Sequence, residues 1–272
     1  MIGWTRLRER VRRLASLRAP RMRAIVLSCD RYAPMAAHMV RTYRVLWPDH
    51  PFLFRIPYQD AASWPEAWRD PAIELVPSPG GIVATVETLL RDLPDDEWIY
   101  WCIDDKFLIE LDVAAVTRLH RWLVALDDPA VTGLIFCRCR MLLCDGHVRE
   151  SGGTTTPDGE HLLARVDYSQ FWIHQYLRVR VLRDAFRRFP GEPARAKQMD
   201  AWIGQEPGTV IWKIPDDELR YVTTRNLAVF GESTDAGRLL SACAESMDRH
   251  GIALPPAFER VDADVRMGGP LA

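Results

Sequence analysis

Several features that would assign a protein class at once are missing from this sequence. No apolar run approaches the roughly 20 residues that a membrane-spanning helix needs. Arginines interrupt the apolar positions near the N-terminus, so no secretory signal is recognised. There is no GxSxG nucleophile elbow, no Walker lysine loop and no HExxH zinc motif, and Gly80-Gly81 does not complete GxGxxG. Internal repeats are also absent, so the function must be sought outside the familiar motifs.

Cysteine is sparse, and most of the six cysteines lie within apolar runs. Such positions are typical of reduced thiols, because disulfides persist mainly in oxidising compartments, and we expect a cytoplasmic protein. Cys137, Cys139, Cys144 and His147 could supply four zinc ligands, although their spacing matches no familiar zinc module. Cys137 and Cys139 also alternate like the inward side of a strand. Both interpretations of this cluster stay open.

Charge is distributed unevenly along a chain whose net charge is only −2. That total gives no general case for nucleic-acid binding. Residues 1–23 carry eight arginines against one acid, so this arm is +7 and the remainder is −9. Apolar residues recur in the arm at steps of three and four, which predicts a basic amphipathic helix over 1–22, at Trp4, Leu7, Val11 and Leu14. The helix could lie on an anionic membrane surface, dock on a partner or pack on its own domain.

Strand-like apolar segments alternate with helical segments from residue 23 onwards. Buried strands are predicted at 23–30, 50–58, 72–77 and 98–103, and helices at about 35–46, 82–92 and 112–126. This alternation is typical of the Rossmann-like α/β class, a mostly parallel open sheet with helices on both faces. At 272 residues the chain suits a single α/β domain over 23–250, with the basic helix before it and a tail at 251–272.

The second half of the chain gives weaker signals. Residues 145–162 hold four glycines and three threonines, which predicts a flexible loop that could act as a lid. A strand pair leading into a short helix is expected over 164–190, and residues 232–249 are predicted to be helical. The tail after 251 is expected to be poorly ordered or packed on the surface.

The strongest signal is the segment from Trp98 to Asp112. Its first six residues are all apolar or aromatic, which predicts a central strand covered on both faces. Asp104 and Asp105 follow at once, and ligands of open α/β sheets lie beyond the carboxyl ends of the strands. Adjacent carboxylates at the edge of a core repel each other and lose water, and a divalent cation relieves both costs. Oxygen ligands favour magnesium or manganese over zinc.

Taken together, these segments resemble the GT-A class of nucleotide-sugar-dependent glycosyltransferases, and more closely the bacterial enzymes of polysaccharide and lipopolysaccharide assembly. The resembling residues are VLSCDRYAPM at 26–35, LWPDHPF at 46–52, WIYWCIDDKFLIELD at 98–112 and, more loosely, YSQFWIHQYLR at 168–178 and NLAVFG at 226–231. The resemblance implies a nucleoside-diphosphate sugar donor, a saccharide or other hydroxyl acceptor, and Mn²⁺ or Mg²⁺. It also implies a place in cell-surface polysaccharide or glycoconjugate synthesis, and the basic helix over 1–22 could hold such a cytoplasmic protein at the inner face of the membrane.

The resemblance further implies roles for single residues. A loop formed by Ser28, Cys29, Asp30 and Tyr32 would cradle the nucleotide; the alternative is that Asp30 caps the next helix and Tyr32 packs in the core. The acidic pair matches the DxD metal motif of the class in a shifted form, because Ile103 stands at the first position. We therefore expect Asp105 as the direct metal ligand and Asp104 as a ribose contact or a further ligand.

An inverting enzyme also needs a carboxylate that takes the proton of the acceptor hydroxyl. Asp200 lies about where enzymes of this class carry that group, and Glu150 and Asp167 are the reserves. His174 would contact a phosphate or satisfy a buried strand, and Arg178 and Arg180 would pair with phosphate or remain solvated. Two other functions stay open: a sugar nucleotidyltransferase, and a non-catalytic subunit of a membrane-associated assembly complex.

Overall fold

The computed structural model describes residues 21–137, 148–166, 171–193, 198–199, 214–254, 258–267 and 271. Several predictions therefore lie outside the described residues: the basic helix over 1–22 (all but its last two residues), most of the cysteine cluster, and the candidate bases Asp167 and Asp200. The remaining predictions can be compared with the fold. In the described part of the chain, no helix combines the length and the apolar character needed to cross a bilayer.

The first half of the chain forms a parallel sheet close to the one expected. Its strands are β1 (Met22–Leu27), β2 (Phe52–Tyr58), β3 (Ile73–Pro77) and β4 (Trp98–Ile103), which lie in the order β3-β2-β1-β4. All three of their pairings are parallel. Helix α1 (Ala33–Leu46) follows β1 with Pro34 in its first turn, where its missing N–H costs nothing, and α2 (Ile82–Leu90) follows β3.

The same sheet continues beyond β4 to nine strands. The additional strands are β6 (Val131–Ile135), β7 (Val148–Thr155), β8 (His161–Arg165), β9 (Gln175–Arg178) and β10 (Leu219–Thr223), and the full order is β3-β2-β1-β4-β9-β6-β10-β8-β7. Strand β9 runs antiparallel between β4 and β6, whereas β6 and β10 are parallel to each other. The sheet is therefore mixed, its four strands from β3 to β4 being parallel, and the α/β prediction is confirmed.

Helices cover both faces of this sheet, which explains why β4 is apolar at every position. Trp98, Tyr100 and Cys102 belong to a core shared with α1 and with α3 (Val113–Val124). Ile99, Trp101 and Ile103 point to the opposite core, shared with α2 and with α4 (Val179–Arg187). Every residue of β4 is buried, as a two-sided strand requires.

Two three-stranded sheets lie next to the main one. The first joins β5 (Lys106–Leu111), β11 (Ala228–Glu232) and β15 (Arg266–Met267), and the second joins β12 (Thr234–Asp235), β13 (Arg238–Leu240) and β14 (Arg260–Val261). The helix predicted over 232–249 is wrong in its first half, because only α5 (Ser241–Arg249) is helical. Part of the tail is ordered by strand pairing, since β14 pairs with β13 and β15 with β11.

The flexible loop predicted at 145–162 is also wrong for the residues that the structure describes there. β7 and β8 form an antiparallel hairpin, and a shift in register between Arg149 and Thr154 accommodates the glycines. The turn of the hairpin is tied down, because Arg225 donates hydrogen bonds to Glu160 at 2.8 Å and to Asp112 at 3.2 Å. Glycine and threonine therefore mark an irregular edge strand here and not a free lid.

Candidate functional site

The carboxyl ends of β1, β2, β3 and β4 meet at one edge of the main sheet, and hydrogen bonds join the loops that follow them. Ser78 N donates to Tyr58 O at 3.0 Å, and the side-chain amide of Gln59 donates to Ser78 Oγ at 3.0 Å. Asp104 N donates to Leu27 O at 3.3 Å. The loop after β1 and the acidic pair after β4 thus belong to one continuous rim.

Asp104 and Asp105 form the tight turn between β4 and β5. Asp104 is only 8% exposed. Burial, and then the negative charge of Asp105, raise the pKa of the Asp104 carboxyl well above its usual value, while the Ser28 hydroxyl acts in the opposite direction. The structure therefore brings together the two features that the sequence placed at this edge, and it leaves Asp104 in need of a positive charge or a proton.

Asp105 has a cationic partner that the sequence analysis did not identify. Lys106 is buried, and its Nζ lies 2.9 Å from Asp105 Oδ1 and 3.6 Å from Glu232 Oε1. Burial opposes the charge on Lys106, but Asp105 and Glu232 outweigh burial and raise its pKa. Lys106 stands beside the acidic pair in the sequence, whereas Glu232 reaches the site only through the pairing of β11 with β5.

These residues can be tested against the divalent ion that the resemblance implies. In the described ranges, no three histidine, cysteine or acidic side chains are grouped as a protein-only metal centre. Two carboxylates at a sheet edge nevertheless fit a hard cation that takes its other ligands from phosphate and water, as Mg²⁺ commonly does. The buried Asp104 carboxyl, with its raised pKa, supports this fit, because a bound cation would favour its ionised form.

Asp30 makes contacts that neither interpretation of the sequence included. Its carboxylate accepts hydrogen bonds from Gln59 N at 2.9 Å, Asp60 N at 2.7 Å and Ser63 Oγ at 3.0 Å. It therefore fastens the loop after β2 to the loop after β1, and it does not cap the following helix. An ionised carboxylate can accept about four hydrogen bonds, so about one position is left for a ligand.

Tyr32 lies between the acidic pair and the C-terminal segment. Its ring meets the ring of Phe258 edge-on at 5.2 Å, and the guanidinium of Arg31 lies 4.7 Å from the centre of the Phe258 ring. Desolvation and then the charge of Asp104 raise the pKa of Tyr32. The ring of Tyr32 is packed against the C-terminal segment, as one interpretation held.

Cys29 is the exposed member of the four free cysteines that the described residues include; Cys102, Cys137 and Cys243 are buried. Partial desolvation of its thiol and the charge of Asp104 raise the pKa of Cys29. A raised pKa leaves the thiol protonated, so Cys29 is poorly suited to act as a nucleophile at neutral pH. Its position beside Asp104 is compatible with a binding contact.

His174 holds the end of β4 in place. Its Nε2 lies 3.0 Å from Ile103 O, and its Nδ1 lies 2.8 Å from the hydroxyl of Tyr43, which contacts the Tyr100 hydroxyl at 2.9 Å. A carbonyl only accepts, so Nε2 carries the proton and the Tyr43 hydroxyl donates to Nδ1. Burial lowers the pKa of His174 to about 3, and the neutral ring satisfies a buried strand end.

Arg178 and Arg180 are not at the rim, so their candidate role at phosphate is wrong. Arg178 lies 4.1 Å from the centre of the Trp98 ring, at the start of β4, and donates to Asp96 O at 2.6 Å. Arg180 forms an ion pair with Asp96. Both arginines therefore fasten the turn before β4, at the end of the strand opposite Asp104.

Of the three candidate bases, Glu150 lies within the described residues, whereas Asp200 and Asp167 lie outside them. Glu150 belongs to β7, the outermost strand, which is five strands from β4 in the sheet. At a spacing of about 4.8 Å per strand, that separation is roughly 24 Å. The backbone position thus argues against Glu150 as the reserve base.

No protein-family model and no curated protein matches this chain. Among solved structures, it is similar to an active-site mutant of LgtC, with 13% identity and a TM-score of 0.36 over 60% of this chain and 59% of that one. It is also similar to the galactosyltransferase LgtC in complex with donor and acceptor sugar analogs, with 13% identity and a TM-score of 0.35 over 60% of this chain and 59% of that one. A third match, the bifunctional glycosyltransferase WbbM in its apo form, has 10% identity and a TM-score of 0.32, and covers 62% of this chain and 34% of that one. The matches thus span less than two thirds of each of these proteins.

Proposed function

We propose that this chain is a glycosyltransferase that moves a sugar from a nucleoside-diphosphate donor to the hydroxyl of a saccharide or other acceptor. One observation carries the proposal. The buried Asp104 stands at the carboxyl end of the central strand, where its N–H donates to Leu27 O at the end of the first strand and its carboxyl is hydrogen-bonded to Ser28 in the loop that follows. Nucleotides bind at this edge of open α/β sheets, and a buried carboxyl with a raised pKa in that position is a candidate functional group.

The donor nucleotide would occupy the rim formed by the loops after β1 and β4. Ser28, Cys29 and the remaining acceptor position of Asp30 would contact the base and ribose, and the hydroxyl of Tyr32 would close over them. Asp104 would contact the ribose or the ion. The contacts of Asp30 with Gln59, Asp60 and Ser63 support this arrangement, because they hold the loop in one conformation before the donor arrives.

Mn²⁺ or Mg²⁺ would be held by Asp105, with Asp104 beside it. Such an ion would neutralise the negative charge that builds up on the departing nucleoside diphosphate. The chain's own part is to hold both carboxylates at the turn, which it does through the Ile103 carbonyl contact of His174 and the hydrogen bond from Ser233 N to Asp105 O at 2.7 Å. Asp200 would take the proton of the acceptor hydroxyl as the attack proceeds.

The setting we propose is the cytoplasm, at the inner face of the membrane, in the synthesis of a cell-surface polysaccharide or glycoconjugate. The arginine-rich residues 1–22 support this setting, because a basic amphipathic segment is attracted to anionic lipids. Binding of the purified chain to vesicles with and without anionic lipid tests it. Equal binding to both kinds of vesicle would contradict the proposal.

The donor is tested by thermal shift with nucleoside diphosphates of the five common bases, each with and without MnCl₂. A ligand at about 100 times its Kd stabilises the folded state by about 2.7 kcal/mol, roughly 5–10 °C for a chain of this size. One base should shift the midpoint, and Asp105→Asn should reduce the shift. Asp158→Asn, in the exposed hairpin turn, is the matched control and should behave like the unmodified chain.

The reaction class is tested by the product formed from the sugar nucleotide that binds. Free nucleoside diphosphate identifies glycosyl transfer, whereas pyrophosphate release from a nucleoside triphosphate would identify a nucleotidyltransferase. Asp105→Asn should lower turnover about a hundredfold, since it weakens the hold on the ion that would stabilise the leaving group. Turnover and metal-dependent donor binding that are unchanged in Asp105→Asn would reject the catalytic proposal and favour a non-catalytic subunit.

A further inference from the structure

Lys106 occupies an unusual position for a basic residue of this chain. Only three of its 35 basic residues are lysines, at positions 106, 197 and 213, and the rest are arginines. Lys106 is 6% exposed, although lysine is rarely buried unless it is paired. The ammonium of lysine has three donors and can therefore contact two carboxylates at once.

The carboxylates around Lys106 are fixed by backbone pairing. Lys106 stands directly opposite Glu232 in the ladder between β5 and β11, and Ser233 N donates to Asp105 O at 2.7 Å. Nζ reaches Asp105 Oδ1 at 2.9 Å and Glu232 Oε1 at 3.6 Å. The pairing of β5 with β11 thus keeps the ammonium of Lys106 next to Asp105 Oδ1. Asp105 is the residue proposed above as the direct metal ligand.

We infer that Lys106 is an internal competitor of the divalent cation at the acidic turn. Its ammonium holds Asp105 in place when no ion is bound, and it weakens the binding of an ion at the same carboxylate. Two effects produce this weakening. The ion must share or displace the hydrogen bond at Asp105 Oδ1, and two cations close together in a poorly solvated site repel each other. The inference rests on the proposed function only in taking Asp104 and Asp105 as the place of the ion.

Glu232 sets the strength of this competition. While Nζ is shared between Glu232 and Asp105, the hold of the ammonium on Asp105 is partial. Without the charge of Glu232, the ammonium would pair with Asp105 alone. Removal of the lysine charge and removal of the glutamate charge should therefore change divalent affinity in opposite directions. A purely structural role of the lysine would not produce a tighter site when the lysine is removed.

The test uses the full-length chain and MnCl₂ alone, with no sugar nucleotide. The Kd for Mn²⁺ is measured by the electron paramagnetic resonance signal of the free ion, and by the thermal shift that Mn²⁺ produces. Lys106→Gln keeps N–H donors but removes the charge, and it should bind Mn²⁺ about tenfold more tightly or better. Lys106→Arg retains the charge and should stay within about threefold of the unmodified chain. Glu232→Gln should bind Mn²⁺ more weakly.

A Kd for Mn²⁺ that is unchanged or higher in folded Lys106→Gln would overturn the inference. It would also be overturned if neither the unmodified chain nor Lys106→Gln binds Mn²⁺. Mn²⁺ binding by Lys106→Gln but not by the unmodified chain would support it. If circular dichroism shows that Lys106→Gln does not fold, Glu232→Gln decides: weaker binding supports the competition, and equal or tighter binding refutes it. Because no donor is present, a failure of the proposed glycosyl transfer would appear separately, as a lack of turnover with Mn²⁺ binding intact.

Discussion

Acid should unfold this protein through histidines that the fold keeps neutral. Burial lowers the pKa of His38 and His174 to about 3, and that of His50 and His120 to about 4. In the unfolded chain each ring has a pKa of about 6.5. The folded pKa lies below the unfolded one, so the unfolded state takes up protons first. The stabilisation is therefore complete above about pH 6.5 and is lost as the pH falls from there towards 4 and 3.

The size of the effect follows from these values. At about pH 5.5, one unit below the unfolded pKa, each neutral histidine costs the folded state about 1.4 kcal/mol of its stability. Four of them amount to about 5–6 kcal/mol, a large part of the roughly 5–15 kcal/mol that holds a typical domain together. Asp104 acts in the opposite direction, because its raised pKa means that the folded state gains stability as the pH falls.

The assay is urea unfolding at about pH 7.5 and about pH 5.5, for the unmodified chain and for His174→Gln. Glutamine does not titrate, so the variant should lose about 1.4 kcal/mol less between the two pH values. Its stability at the higher pH should nevertheless be lower by about 1–3 kcal/mol, because the contacts with Ile103 and Tyr43 are disturbed. His161→Gln, on the exposed side of the hairpin, is the control. If His174→Gln lost as much free energy of unfolding between the two pH values as the unmodified chain, the reasoning would be refuted.

Three more predictions concern the rim and the hairpin. Asp104→Asn should raise stability at neutral pH, since the amide cannot ionise in the buried site, and it should abolish the nucleotide-dependent thermal shift. A lower stability with the thermal shift retained would contradict the role given to Asp104. Asp30→Ala should lower the free energy of unfolding by about 2–3 kcal/mol, at about 1 kcal/mol for each of three hydrogen bonds, and urea titration against Asp158→Ala as the control measures it. Arg225→Met should lower the free energy of unfolding by only about 1 kcal/mol, because its ion pairs with Asp112 and Glu160 are partly exposed. The variant should nevertheless be cleaved faster by proteases at the hairpin turn near Gly159. An unchanged cleavage rate would show that these ion pairs do not hold the turn.

The parallel half of the sheet could be predicted from local patterns. A strand covered on both faces needs an apolar residue at every position, and Trp98–Ile103 provides six in a row. Pro34 marked the first turn of α1 for an equally local reason. Where the local signal was weak, the prediction was wrong: the glycines and threonines of 145–162 suggested a loop, and the pairing of β7 with β8 overrode them. The strands after 232 were missed because each is only two or three residues long.

The sequence alone determined that two carboxylates follow a buried strand, because residue order and apolar content fix that relation. Only the tertiary structure decided what those carboxylates contact. Glu232 comes to Lys106 through a strand pairing across more than a hundred residues, and Phe258 reaches Tyr32 from the C-terminal segment. Asp30 holds a loop about thirty residues away. Such partners depend on how distant segments pack, and a residue's own type and neighbours in sequence carry no record of that packing.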